Sequence, residues 1–325
     1  MKKQGRTMWI AGILLLCFLL PIGALASTTI SSDITFEIDM SQVESPISSS
    51  SLEIPWTYAV PLYALINPSP LLVNSNNLLD STFVPSPLID MTMVKRATSS
   101  KVFLQEECAN ALIDMFEAAK QVTSYTCTLP NSKGKLEEKT YTYENGMTLY
   151  LKSGYRSYQT QKTVYSNYLA RNNNVDDGYS AKPGSSEHQS GLGVDILNAN
   201  FANKTRMTQA FANEPEAQWL KENCAQFGFI LRYTKEAEAI TGISFEPWHF
   251  RYVGPEIAGY ITANNLTLED FFNEWEFKFA EFVGQGGDPQ KQIIYELSRK
   301  NAPPESNILE TKSEDGEAEI SLRFF

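Results

Sequence analysis

SSEHQSGLGVDI, residues 185–196, holds one of only two histidines in a 325-residue chain, and an aspartate follows that histidine seven positions later, beyond two glycines. Leu192, Val194 and Ile196 alternate with Gly191, Gly193 and Asp195, so the segment reads as a strand with one apolar, buried face. Asp195 then projects from the other face. Aspartate and glycine are both depleted in strands, and the reading that follows is that the glycines clear room on this face for something other than protein. The second histidine lies in FEPWHFRYVG, 245–254, where His249 opens another strand-like run and Glu246 stands three positions before it across a proline.

Working outward, Leu104, Cys108, Ala111, Leu112, Met115, Phe116 and Ala119 recur at helical spacing behind Ser99 and Ser100, which predicts a core-facing helix from about 101. KTYTYENGMTLYLKSGYRS carries two runs of β-branched and aromatic residues around Asn145-Gly146, the pair that suits a tight hairpin turn. A helix is predicted over Tyr158 to Arg171, and another from Pro215 to a stop at Gly228. Thr267 with Asp270 reads as a capping box opening LEDFFNEWEFKFAEF. Strands are expected at 147–153, 192–197 and 248–253. PSPLLVNSNNLLDSTFVPSP, 68–87, is too apolar for a linker and reads as an ordered arm.

The N-terminus reads as a secretory signal over residues 1–26: Lys2, Lys3 and Arg6 precede an apolar run, which ends in Ala24-Leu25-Ala26. An uncleaved membrane anchor is the alternative. A Ser-rich tether, 27–54, is expected next, with a possible short strand at 34–40, then a domain over 55–283. GQGGDP marks its edge, and residues 284–325 form an acidic extension, either unstructured or a hairpin around Asp315-Gly316 pairing with the 34–40 strand. The chain carries net charge −11. Without residues 1–26, 24 of the 27 basic residues remain against 38 acidic ones, a net charge of −14. Such a chain does not bind nucleic acid through bulk charge, so any anion must be recognised locally. Cys108, Cys127 and Cys224 would remain after processing and allow at most one disulfide.

Two histidines and an aspartate suit Zn²⁺, and three protein ligands leave a fourth position open for chemistry. A carboxylate nearby that is not a ligand, Glu246, is the candidate general base. Spacing alone does not separate this reading from a hydrogen-bonded core histidine, because a single His-x6-Asp motif is common by chance. Ser132-Lys133-Gly134-Lys135 matches the S-x-x-K of serine peptidases, but no K-T-G follows.

Three motifs together, SGYRSYQTQ, SSEHQSGLGVDI and EPWHFRYVG, resemble the signatures of the VanY-type D-alanyl-D-alanine carboxypeptidases, M15-family zinc peptidases of peptidoglycan. The resemblance covers roughly residues 65–275. It implies an α+β fold of the hedgehog/D,D-peptidase kind, with a small, mostly antiparallel sheet bearing the zinc site and helices packed on one side. It implies His188, Asp195 and His249 as ligands of one Zn²⁺ per chain and Glu246 as the catalytic carboxylate. Arg156, Gln161 and Ser186 would hold the substrate's C-terminal end, with Arg156 also counted in the catalytic set, and Tyr233 and Trp248 would form pocket walls. Gly193 stands where the family often has alanine, and Cys127 to Lys139 looks like an insertion. The expected activity is D,D-carboxypeptidase action on stem peptides outside the cytoplasm. An L,D-carboxypeptidase, or an inactive zinc-bearing wall-binding domain, is the alternative.

Overall fold

The computed structural model describes residues 8–13, 33–38, 52–65 and 71–300. Most of the expected signal segment, most of the tether and the acidic end beyond 300 lie outside the described residues. Among the described residues, no helix is long and apolar enough to cross a membrane. The chain divides into two compact units, residues 67–278, and residues 1–66 with 279–325.

In the second of these, β1 (Met8–Ile13) pairs antiparallel with β2 (Asp33–Ile38). The strand expected at 34–40 therefore exists as β2, but its partner is β1; the acidic segment around Asp315-Gly316 is not among the described residues. The backbone N–H groups of Trp56 and Tyr63 donate to Gln292 Oε1 at 3.2 Å and Glu296 Oε2 at 2.9 Å, on the last helix of this unit.

The larger unit is built on two short ladders and one sheet. β3 (Leu88–Asp90) pairs with β4 (Phe103–Gln105), and α1 (Glu106–Lys120) follows directly. The expected helix thus begins later than its periodicity suggested: Leu104 belongs to β4, where its fully buried side chain serves the same core. β5 (Ser124–Pro130) and β6 (Leu136–Thr142) form a hairpin whose turn is Asn131–Lys135. This is the stretch read as an insertion. The hairpin expected around Asn145-Gly146 does not form. Gly146 does take a positive φ of 77°, but the chain leaves that turn for a different sheet.

That sheet is four-stranded, antiparallel throughout, in the order β7 (Tyr150–Ser153), β8 (Gly193–Leu197), β10 (His249–Tyr252), β9 (Phe229–Leu231). The strand expectations hold within one to three residues at each end. α2 (Tyr158–Arg171) has the predicted ends because the Ser157 side chain caps it through Thr160 N–H. α3 (Ala199–Ala202) is a single turn; α4 (Pro215–Asn223) continues as a 3-10 turn to Gly228, whose φ of 81° ends it. α5 (Glu238–Thr241), α6 (Pro255–Asn264), α7 (Leu268–Gly284) and α8 (Pro289–Lys300) follow among the described residues. At the start of α7, Thr267 and Asp270 exchange the capping-box hydrogen bonds, at 3.0 and 3.1 Å.

One apolar core joins the sheet to its helices. Leu151, Val194, Ile196, Phe229 and Phe250 meet Leu112, Met115 and Phe116 of α1 and Trp219 and Leu220 of α4. Cys108, Cys127 and Cys224 are buried and unpaired. Residues 71–87 of the expected arm are held against the domain: Gln189 Nε2 donates to the Asp80 carbonyl at 2.7 Å, and Leu79 N–H to Gly184 at 2.8 Å.

Candidate metal centre and its cavity

With the apolar residues of β8 and β10 turned to the core, strand alternation sends Asp195 and His249 to the other face. Asp195 and His249 are directly opposite each other in the ladder. His188 arrives from a short 3-10 turn, Glu187–Ser190, that ends at Gly191 with a φ of 72°. One nitrogen or oxygen from each of His188, Asp195 and His249 falls within 4.8 Å of the others, and all three residues are buried. Asp195 bridges the imidazoles, with Oδ1 at 3.1 Å from His249 Nδ1 and Oδ2 at 3.4 Å from His188 Nε2. Two imidazoles and one carboxylate converging on a point, with neutral and anionic donors, fit a tetrahedral zinc with one open position.

Neither glycine of the opening stretch clears space above this point. A Cβ on Gly193 would sit 3.2–3.3 Å from Glu187 and the His188 nitrogen, and one on Gly191 would meet Gln105 and Pro85 at 3.2 Å. Gly193 allows the histidine-bearing turn to lie flat on β8; Gly191 provides the left-handed residue that ends that turn. Their work is to place His188.

Burial alone would raise the Asp195 carboxyl, but the charges and hydrogen bonds of His188 and His249 hold it well below the usual carboxylate range. Burial and the nearby Arg156 push His188 down from its ordinary value. Burial opposes the charge on His249, but its bonds to Asp195 and Glu187 raise it to about 9 in the metal-free protein. Glu246 is raised to about 8, chiefly by burial. Its Oε2 lies 3.9 Å from His249 Nδ1, beside the candidate ligand group but not part of it.

Arg156 donates through Nη1 to Gln161 Oε1 at 2.6 Å and through Nη2 to Ser153 Oγ at 3.3 Å. A guanidinium has five N–H donors, so three remain for a ligand. Gln161 is buried, and its Nε2 donates to the Ala181 carbonyl at 2.6 Å. Its amide thus spans from the loop to Arg156. Tyr233 lies against His249, ring centroids 4.9 Å apart. All nine residues named from the sequence line one cavity of about 560 Å³, which runs on past Lys152, Arg171 and Arg206. Ser132, by contrast, lies on the exposed hairpin turn and does not line it.

Four charged residues of the site escaped the sequence reading. Glu187, fully buried, accepts from Arg232 Nε at 2.8 Å and pairs with Arg251 Nη1 at 3.0 Å, while its other oxygen lies 3.3 Å from His249 Nε2. Arg232 in turn grips Glu269 at the start of α7 through two bonds, 2.6 and 2.8 Å. Burial alone would raise Glu187, but Arg232, Arg251 and His249 hold it well below the carboxylate range. A signal existed: Arg251 is two residues after His249 and so shares its strand face.

Comparison with known proteins finds relatives of one kind. The family model described as VanY, D-alanyl-D-alanine carboxypeptidase, matches residues 136–255. The chain is 34% identical over 206 residues to YodJ of Bacillus subtilis (strain 168), covering 62% of this chain and 66% of that one. It is 39% identical over 162 residues to a D-alanyl-D-alanine carboxypeptidase of Enterococcus faecalis (strain ATCC 700802 / V583), covering 50% of this chain and 53% of the relative. Across the curated relatives it matches, the chain spans between 44% and 66% of their length. Among solved structures, that of the LdcB LD-carboxypeptidase aligns with a TM-score of 0.51 and 31% identity, over 70% of this chain and 97% of that one.

Proposed function

We propose, from the premise that this chain belongs to the VanY family of D-alanyl-D-alanine carboxypeptidases, that it is a zinc-dependent D,D-carboxypeptidase acting on peptidoglycan stem peptides. The observation that carries the proposal is the convergence of three metal-ligand side chains, an unligated carboxylate and an arginine with free donors on one cavity.

His188, Asp195 and His249 would hold one Zn²⁺, which when bound polarises a carbonyl and lowers the pKa of water to about 7. Glu246 takes the proton of the attacking water and delivers it to the leaving amine, so that water is added across the terminal peptide bond. The residual donors of Arg156 take the substrate's C-terminal carboxylate in a two-bond grip, selecting a free C-terminus. Gln161 and Ser153 hold the guanidinium in place for that grip, so Gln161 acts through Arg156. Ser186, Tyr233 and Trp248 wall the cavity beside the terminal residues. We place the enzyme outside the cytoplasm, secreted or tethered through its N-terminal segment, since residues 1–26 read as a signal and the wall is where such peptides are found.

A second reading, L,D-carboxypeptidase action on tetrapeptide stems, is favoured by the likeness to the LdcB structure. Both substrates end in D-alanine with a free carboxylate, so Arg156 serves either. Incubation with synthetic pentapeptide and tetrapeptide stems, products read by mass, separates them. Loss of one D-alanine from the pentapeptide alone is the expected result; loss from the tetrapeptide alone reverses the assignment. Hydrolysis of neither by zinc-loaded protein leaves the zinc-bearing wall-binding domain, against which the buried, unligated Glu246 argues.

A further inference from the structure

Rings of the only two histidines in the chain meet different partners on the side away from the metal position. His188 Nδ1 lies 2.8 Å from the Gly154 carbonyl, which can only accept, so Nδ1 carries the proton and Nε2 faces Asp195. His249 is the reverse. Its Nε2 lies 3.3 Å from Glu187 Oε2, and its Nδ1 faces Asp195 and Glu246. Glu187 is the residue next to His188, and a free carboxylate there would compete for the cation. Two guanidiniums engage its Oε1, from Arg232 and Arg251, and Arg232 is itself clamped by Glu269, which also accepts from Asn74 at 3.1 Å. The buried set of two arginines and two glutamates is charge-balanced, and its contacts at Oε1 leave Oε2 of Glu187 pointed at the imidazole.

We propose that Glu187 is a positioning residue of the metal site: by accepting the Nε2–H of His249 it makes Nδ1 the ligating nitrogen, and the Arg232–Glu269 pair keeps its carboxylate off the metal. The two histidines then bind through opposite ring nitrogens, His188 by Nε2 and His249 by Nδ1. Outer carboxylates of this kind fix a ligand's tautomer and raise its basicity. The proposal rests on the zinc reading above and extends it to residues the reaction itself does not touch.

The test uses full-length protein labelled with ¹⁵N-histidine and loaded with zinc, in which two histidines give two assignable ring systems. Long-range ¹H–¹⁵N spectra are expected to show an Nδ1–H for one ring and an Nε2–H for the other. Two rings of the same tautomer would overturn the proposal, and this measurement needs no variant. In competition with a chromophoric chelator, Glu187→Ala is expected to bind zinc roughly 10- to 100-fold more weakly, with a changed His249 spectrum and an unchanged His188 spectrum. Glu187→Gln, whose amide oxygen still accepts the Nε2–H, recovers most of that loss. Glu269→Gln, which leaves Glu187 in place, shows a smaller loss in the same direction. Wild-type zinc affinity and an unaltered His249 spectrum in Glu187→Ala would refute the role, whereas a wild-type protein that takes no zinc would sink the zinc reading as well.

Discussion

At the scale of single residues, the proposed roles separate holding a metal from moving a proton. Glu246 lies 3.9 Å from His249 Nδ1 but outside the candidate ligand group of His188, Asp195 and His249. Glu246→Gln is therefore expected to retain zinc at wild-type affinity while turnover falls by about 10²- to 10⁴-fold, the usual worth of a general base. Zinc content and stem-peptide kinetics on the same preparation check this; a variant that loses both together would make Glu246 a ligand instead. The same cluster predicts a pH dependence. In the metal-free protein His249 is raised to about 9 and Glu246 to about 8. A folded state that holds protons more tightly than the unfolded chain is favoured fully below the unfolded values, ordinarily 6.5 and 4.5, and loses that advantage as pH rises through the folded ones. The thermal midpoint measured in chelator is accordingly expected to decline between pH 6.5 and 9. Zinc-saturated protein should lack the decline, since a bound ion would keep the proton off His249 and favour the Glu246 carboxylate at all these pH values. Equal slopes with and without zinc would contradict the assignment.

At the scale of elements, the candidate ligands are placed by where strands end and turns begin. Gly154 follows β7, and its carbonyl orients His188, while an added Cβ would stand 2.6–2.8 Å from the Phe103 carbonyl, Leu104 and Val102. Gly154→Ala must push β7 away from β4, and we expect a loss of about 1–3 kcal/mol together with weaker zinc retention. Denaturant unfolding with zinc titration measures both, and a variant as stable as wild type would show that the contact yields freely. Local signals of this kind were legible in the sequence. The bounds expected for α2 hold, Thr267 with Asp270 defined the start of α7, and alternation in LGVDI placed Asp195 opposite the core. Pairing was not legible, because it is non-local. Asn145-Gly146 has the backbone of a turn, but the run after it, β7, pairs with β8, more than forty residues on, while β6 turns back on β5. Leu104 fits a helical stripe with Cys108 and Leu112, yet it reaches the same core from a strand. The Glu187 network was hidden for a like reason: Arg232, Arg251 and Glu269 come from three separate segments, and only the fold brings them to one carboxylate.

At the scale of the whole molecule, every residue assigned a role lies within residues 67–278, one of the two compact units. Its apolar core runs from Met91 to Tyr252. The arm residues that tie down the histidine turn and its neighbour Gly184, Asp80 and Leu79, lie in the same unit. A fragment of residues 67–284, which keeps α7 whole, is therefore expected to fold cooperatively, bind one zinc per chain and retain the turnover number of the full protein on soluble stem peptides. The N-terminal segment and the region beyond Gly284 would then matter for where the enzyme works, on insoluble wall material, and not for the bond it cleaves. Thermal unfolding, zinc stoichiometry and kinetics on soluble stems test this directly. A fragment that folds and binds zinc but turns over at a small fraction of the full-length rate would mean that residues outside 67–284 help build the substrate cavity. In that case the division between catalysis and placement would have to be redrawn at the N-terminal unit.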